Sequence, residues 1–537
     1  MTFRRIACVA NDTAHRNSIK GLNIDEDYPQ YQSRAPSTPD SYEYDMVPPT
    51  SSWIGHESHW VNTTIKSGRD APSTLVSNSR DVGASMAALS TTDDPPSETE
   101  TCIFAKLAIP GRGEPVANAA IGISSDGTIT FFGSQKDIPN RFASIRRVDV
   151  GYILPGLWDC HAHFSGLFVA DFPEIVGTHP ATSGALAARS MYETLMAGFT
   201  SVRDVGSFAL ELAPAVDMGW LMGPNIFGAG AAIGITGGSC DACTLPADWV
   251  YSRAGTGSRG DVPFPGVAHL VIADGVEQCR LAVRQQIRRG ATCIKIVASG
   301  GVLSRSDDVH CRQYSDAELD VMMEEAHLQG RSVAVHAHGK AAIMAAIRAG
   351  ATTIEHGSYL DDDAARYMAA EGVALVPTRT VIEANLTDLD SLTPETRRKM
   401  VDIADRHKEA YATAIRHNVK IALGTDIVGV NPQSASRHGR NGHEVVFAVE
   451  AGLTPLQAIE AGTINGAETL GKQMPKKGLI KVGWDADLIA LDENPLEDIR
   501  LFADPDNIIS IWKGGLLVKS REGQLLWPIS APKKIFC

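Results

Sequence analysis

The chain contains no apolar run approaching the roughly 20 residues that a membrane-spanning helix requires, which excludes an integral helical membrane protein. Its N-terminus, MTFRRIACVANDT, has two arginines but only the short apolar stretch IACVA, too little for the core of a signal peptide. A cytoplasmic protein is the default expectation; secretion stays open, because a start assigned too far downstream would hide a leader. Positive charge is also short: 49 Lys and Arg stand against 63 Asp and Glu, a net charge of −14, and no basic cluster or aromatic-rich basic strip is visible. Nothing there could track a phosphate backbone, so nucleic acid is not an expected partner.

Cysteines are few, scattered and odd in number, nine in all, which argues against a disulfide framework in a chain of this size. Cys240 and Cys243 form a C-x-x-C in the loop GITGGSCDACTLP, but no second such pair or neighbouring histidine cluster completes a zinc site. Loop thiols or a local disulfide are the expected readings. Asn11, Asn62 and Asn385 lie in N-x-T sequons, which matter only in the secretory pathway.

What the chain does have is length and apolar content: 537 residues, 44% hydrophobic, enough for at least one large core and too long for one typical domain. Residues 1–98 are rich in Ser, Thr, Asp and Pro without helical or strand periodicity, and read as a disordered leader. From Cys102 the texture changes to short runs broken by turn residues, CIFAKLAI, AAIGISS, DGTITFFGS and RRVDVG. The same texture returns after residue 477 in GLIKVGWDADLIALD, NIISIWKGG and LLVKS. Residues 99–153 and 477–537 are therefore expected to form one discontinuous β-rich domain, assembled from both ends of the chain.

Between them, residues 154–476 alternate short apolar runs with amphipathic stretches. Eight strand candidates stand out: YILPGLWD, TSVRDVG, NIFGAGA, CIKIVAS, SVAVHAHG, TTIEHGS, VALVPT and VKIALGTD. Segments such as GVEQCRLAVRQQIRRG and KAAIMAAIRAG separate them, with apolar residues at three- and four-residue spacing and a closing glycine, which is a helix signature. Strand–helix alternation implies a parallel sheet, and eight units fit a closed (β/α)8 TIM barrel. A doubly wound open sheet is the runner-up, but its glycine-rich dinucleotide loop is missing after the first strand.

Active sites of such barrels lie at the C-terminal ends of the strands. The first strand leads into His161 and His163, whose i and i+2 spacing puts both imidazoles on one face. The fourth carries Lys295, the fifth ends in His336, the sixth in His356 and the eighth in Asp426. An isolated H-x-H facing water would be unremarkable; four imidazoles, a carboxylate and a lysine at the strand ends of one barrel would converge on a common volume. Lys295, flanked by Ile294 and Ile296, must be paired or lose its charge when buried. Asp204 and Glu355 could pair with it, or could instead orient ligands.

The pattern PGLWDCHAHF, IKIVASGG, VAVHAHG, TIEHGS and LGTD, with GLIKVGWDADLIALD near the C-terminus, resembles the amidohydrolase superfamily from about residue 102 to 520. The texture is closest to the branch of imidazolonepropionase-like Xaa-Pro dipeptidases and fungal ochratoxinase. The resemblance implies a barrel flanked by a discontinuous β-sandwich. It further implies a binuclear centre of two divalent cations, usually Zn2+, bridged by a lysine carbamylated by CO2. Carried over by position, His161, His163 and Asp426 would bind one metal, His336 and His356 the other, and Lys295 both, with Asp426 as the proton carrier. It also implies a homo-oligomer and a small-molecule amide or peptide substrate. His338, His310, Arg312 and Tyr314, together with Arg305, are candidate substrate contacts. The expected activity is hydrolysis of an N-acyl amino acid, dipeptide or ochratoxin-like amide. Hydrolysis of a cyclic amide or lactone, and decarboxylation, are alternatives on the same core, and a non-catalytic scaffold is a further one.

Overall fold

A computed structural model describes residues 100–522 except 169–173, 175–176, 242–269 and 306. The segment read as a leader, the sequons at Asn11 and Asn62, and Cys243 lie outside the described residues. No helix among the described residues is long and apolar enough to cross a membrane.

Seven strands from both ends of the chain form one sheet, in the order Leu516–Lys519, Ser510–Lys513, Leu488–Leu491, Arg146–Pro155, Thr101–Ala108, Val116–Ile123 and Ile129–Ser134. Arg146–Pro155 is the seam: it pairs in parallel with Thr101–Ala108 and antiparallel with Leu488–Leu491. Ile103, Ile121, Ile153, Leu488 and Trp512 meet on its inner face, burying a common apolar layer. The turn Asp126–Gly127 is tight because Gly127 takes φ +86°, and a Cβ there would meet the Gly514 carbonyl oxygen at 2.1 Å.

The remaining strands are parallel and form two further sheets, giving a mixed α/β architecture. One has the order Ala374–Val376, Thr353–His356, Ser332–Ala337, Cys293–Val297, Ala232–Gly234 and Leu270–Ile272; the other has Ile427–Gly429, Leu157–Leu167, Phe199–Asp204 and Asn225–Gly228. Backbone bonds join them on two sides. Thr292 N donates to Gly228 O (2.9 Å), while Leu375 N donates to Lys420 O (2.8 Å) and Cys160 N to Leu423 O (2.8 Å).

Helices cover the sheets where the three- and four-residue periodicity placed them, at Pro180–Met196, Val276–Arg289, Asp316–Leu328, Lys340–Ala349 and Pro394–Arg416. Each buries one face, as Lys340–Ala349 does with Ala342, Ile343, Ala346 and Ile347, and left-handed glycines at 290 and 350 close two of them.

Three strand expectations need correction. YILPGLWD is not one strand: Arg146–Pro155 belongs to the seven-stranded sheet and Leu157–Leu167 to a parallel one. The chain changes sheets at Gly156, where a Cβ would sit 2.0 Å from the Thr200 hydroxyl. VKIALGTD joins its neighbours through the isolated bridge Leu375–Ile421, and the regular strand comes later, at Ile427–Gly429. NIFGAGA stops as a strand at Gly228, and the short strand Ala232–Gly234 that follows was missed.

Candidate metal centre

The histidine pair lies inside the strand Leu157–Leu167, not beyond it. His161 is buried at the centre of the cluster: its ring centroid is 5.3 Å from that of His163 and 4.9 Å from that of His356. His356 lies 4.5 Å from His336 and 4.8 Å from His338 by the same measure. Asp426 Oδ1 is 3.1 Å from His163 Nε2 and 3.5 Å from His161 Nε2, and Lys295 Nζ is 3.4 Å from His161 Nε2. The six residues that strand-end reasoning singled out thus come together. Two groups of three, His161 with His163 and Asp426, and His336 with His338 and His356, each bring their ligand atoms within 4.8 Å of one another.

The outer nitrogens of these imidazoles are engaged, which fixes where the inner ones point. His161 Nδ1 lies 2.7 Å from Glu355 Oε2, His163 Nδ1 lies 3.0 Å from Gly206 O, and His356 Nδ1 lies 2.8 Å from Thr378 Oγ1. His338 Nδ1 lies 2.8 Å from Ser358 Oγ. His336 is the exception: its Nε2 is 3.3 Å from Gly300 O, which leaves Nδ1 for the cluster.

Glu355 and Asp204, each a possible partner for Lys295, are otherwise committed. Glu355 bonds His161 on one side and the buried Arg203 and Thr353 on the other. Asp204 accepts from Phe164 N, Gly206 N and Ser207 Oγ. Lys295 forms no salt bridge among the described residues, and burial pulls its ammonium below the ordinary lysine range.

The protonation pattern suits cation binding. Burial, reinforced by Lys295, brings His161 down to about 4 and His336 to about 3; burial and neighbouring imidazoles hold His338 and His356 well below the usual value. These four rings are neutral near pH 7, with lone pairs available. Burial raises Asp426, but His161 and His163 outweigh it and keep the group ionised. The residues present therefore fit a divalent-metal site: neutral imidazoles, a carboxylate and a deprotonatable amine around one volume.

The backbone is strained at this point. His356 and Asp426 have φ of 69° and 59°, and Thr378, which contacts His356, has φ of 58°. Left-handed non-glycine residues carry a conformational cost, and a cluster of them at one spot marks a site whose geometry is imposed by its surroundings. One such constraint is Asp159, whose carboxylate accepts from His161 N, Thr425 N, Thr425 Oγ1 and Asn441 Nδ2, tying the segment before Asp426 to the histidine strand. Asp159, Arg203 and Thr378 were missed in the sequence. Arg203, a charge in the apolar run TSVRDVG, was the legible clue: a buried guanidinium demands a carboxylate.

A cavity of about 850 Å³ opens above the cluster, with His163 and Asp426 on its floor and Phe168, Leu303, Arg305 and Asn385 among its walls. Of the candidate substrate contacts, only Arg305 lines it. His310 is exposed and rests on Tyr359, with ring centroids 4.3 Å apart. Arg312 is spent on Tyr314 O (3.0 Å) and Asp316 (2.5 Å). Tyr314 is buried in the core with its hydroxyl donating to Ala273 O at 3.2 Å. The cause is a loop that folds back on itself, Gly300 N bonding Cys311 O and Gln313 N bonding Ala298 O, which turns Tyr314 inward. His338 differs, standing within the cluster. Cys240 is a free buried thiol pushed up to about 12 by burial, a poor zinc ligand. Asn385 is half-buried on the cavity wall and donates to Val381 O at 2.7 Å.

Residues 152–518 match the amidohydrolase family. The chain belongs to it. Ochratoxinase of Aspergillus niger is 46% identical over 430 residues, covering 78% of this chain and 86% of that protein. The crystal structure of A. niger ochratoxinase superposes with a TM-score of 0.72 at 44% identity, over 79% of this chain and 96% of that one. A prolidase solved with N-methylphosphonate-L-proline gives 0.69 at 32% identity, over 79% of this chain and all (100%) of the other. An amidohydrolase of this kinship is a hydrolase acting on amide and other carbon–nitrogen bonds.

Proposed function

We propose that the protein is a metal-dependent amidase that releases an amino acid from an N-acyl amino acid, a dipeptide or an ochratoxin-like amide. One observation carries this reading: two three-donor groups stand side by side around a buried lysine, and His163 and Asp426 of one group line an open cavity. The cavity volume of about 850 Å³ suits a substrate of this class. Kinship with an ochratoxinase and with a prolidase supports the bond type.

The two parallel sheets, joined through Thr292, Leu375 and Cys160, support a closed (β/α)8 barrel over residues 154–476. The sheet built from both chain ends supports a flanking sandwich from residues 99–153 and 477–537.

His161, His163 and Asp426 would hold one cation, and His336 with His356 a second. Lys295, whose ammonium is disfavoured by burial, would give up its proton and add CO2 as a carbamate able to serve both sites, and Zn2+ suits the imidazole-rich set. What such cations supply when bound is Lewis acidity toward water and toward a carbonyl. Asp426 takes the proton of the attacking water on its carboxylate and returns it to the leaving nitrogen, since amine expulsion requires a general acid. Glu355 and Thr378 hold the rings of His161 and His356 in place. His338 has two roles set by its tautomer. With Ser358 donating to Nδ1, Nε2–H is a donor for the developing oxyanion; with Ser358 accepting, Nε2 offers a lone pair.

The test is a panel of N-acyl amino acids, dipeptides and ochratoxin A, with cyclic amides and lactones alongside. Protein is loaded with zinc in bicarbonate, and free amino acid is the readout. Turnover of the linear amides with two metals bound per chain is expected. Full metal content with no linear amide cleaved would overturn the reading.

A further inference from the structure

Lys399 lies on the helix Pro394–Arg416 and is buried, outside both three-donor groups of the cluster. All three of its protons are used: it donates to Gly301 O (3.1 Å), Ser304 O (3.0 Å) and Asp307 Oδ1 (2.9 Å). Asp307 closes the same loop from within, accepting from Gly301 N (3.0 Å) and from Ser304 Oγ (2.6 Å). That is an unusual investment of buried charge in one loop, because a desolvated ammonium and carboxylate are tolerated only when fully paired.

The loop in question follows the Lys295 strand and faces substrate space on one side and the cluster on the other. Leu303, Ser304 and Arg305 line the cavity. Gly300 O sits 3.3 Å from His336 Nε2, and Ser299 Oγ accepts from His338 N at 3.0 Å. Thr393 and Thr396 at the start of the Lys399 helix line the same cavity. Lys399 therefore ties two parts of its lining together at a point that touches neither substrate space nor a candidate metal ligand.

We infer that Lys399 and Asp307 form a positioning strap that sets the substrate-facing shape of the loop at Leu303, Ser304 and Arg305 and thereby substrate affinity, without taking part in the chemistry. Removing the ammonium strands two buried carbonyls and leaves the Asp307 carboxylate, still held by Gly301 N and Ser304 Oγ, without its counter-charge, which favours opening of the loop to water. Its wall of the cavity moves, while the helix and the strand-borne donors stay. The kinetic part of this inference rests on the proposed amidase activity; the structural part does not.

The experiment compares Lys399→Met, Asp307→Asn and the double variant in the full-length zinc-loaded protein. Expected are unchanged metal content, kcat within about twofold, KM raised about tenfold or more, and a double variant that falls short of the sum of the singles, since the two share the Lys399–Asp307 bond. Amide hydrogen exchange should rise in the loop Gly300–Arg305 and stay slow in the helix Pro394–Arg416. If Lys399→Met does not fold, Asp307→Asn, which keeps shape and loses charge, carries the test. Unchanged loop exchange with unchanged KM, or a fall in kcat and metal content at constant KM, overturns the strap. If the parent protein cleaves nothing in the panel, the amidase reading fails and the exchange result still decides the strap.

Discussion

The carboxylate of Glu355 bridges two buried partners, the neutral imidazole of His161 and the guanidinium of Arg203, with Oε2 at 2.7 Å from His161 Nδ1 and Oε1 at 2.7 Å from Arg203 Nη2. Burial alone would raise this carboxyl, but the Arg203 charge and His161 hold it well below the usual range. Glu355 thus keeps the ring of His161 oriented and keeps Arg203 neutralised inside the sheet. Glu355→Gln removes the charge and leaves the guanidinium unpaired, a change that destabilises by about 3–5 kcal/mol for a buried pair. It also releases the ring, for which metal affinity falls about 10- to 100-fold. Denaturant unfolding and metal titration measure the two effects separately; normal stability with normal metal affinity would refute the bridging role.

Lys295 offers a sharper test of the centre itself. Its Nζ stands 3.4 Å from His161 Nε2 with no salt bridge among the described residues, so its burial is unexplained unless it is modified or coordinates. Lys295→Ala is expected to lose at least one metal per chain and the hydrolytic activity, while unfolding as a cooperative domain. Chelation of the parent protein should abolish activity, and zinc with bicarbonate should restore more of it than zinc alone. Full activity with normal metal content in Lys295→Ala would sink the carbamate proposal.

How far the sequence could be read depends on how local each feature is. Helices such as Lys340–Ala349 were legible because periodicity and a closing glycine are properties of about a dozen neighbouring residues. The clustering was legible because the ends of neighbouring parallel strands face one volume, so His161, His163, Lys295, His336, His356 and Asp426 could be grouped without knowing any distance. Tyr314 and Arg312 failed for the opposite reason: the loop Gly300–Gln313 folds back through its own backbone bonds, and no pattern in GGVLSRSDDVHCRQYSD reveals that return. Gly156 was missed as a sheet boundary because the apolar run continues through it, and only the approach of Thr200 explains the break.

Glu444 is buried at the start of the helix Arg379–Leu386, accepting from Arg379 N, Thr380 N and Thr380 Oγ1. Burial raises it to about 7 despite those donors. Its folded value lies above the unfolded one, so its contribution to stability is complete below about pH 4.5 and is lost as pH rises through about 7. The loss is on the order of 3 kcal/mol. Glu444→Gln cannot ionise and should therefore lose less stability than the parent between pH 5 and pH 8, measured by urea unfolding at each pH. Identical slopes for the two proteins would show that another group sets the dependence.

Gly424 allows a close approach in the site. A Cβ on it would lie 2.7 Å from His161 Cβ, 2.8 Å from His161 N and 2.5 Å from Val376 Cγ1. The neighbours are backbone and packed side chains of two adjacent strands, and none can move aside cheaply. Two residues on, Asp426 N donates to His161 O at 2.6 Å, and its carboxylate reaches His163 only because this segment lies flat against the histidine strand. Gly424→Ala should push the segment outward, costing about 1–3 kcal/mol as overpacking does. The larger effect falls on the site, since a displacement of about 1 Å at Asp426 is enough to lower turnover about 100-fold. The measurement is kcat with metal content and urea midpoint in the same preparation. A loss of stability with kcat intact would mean that Asp426 is held by Asp159 and Thr425 alone, not by the flatness that Gly424 permits.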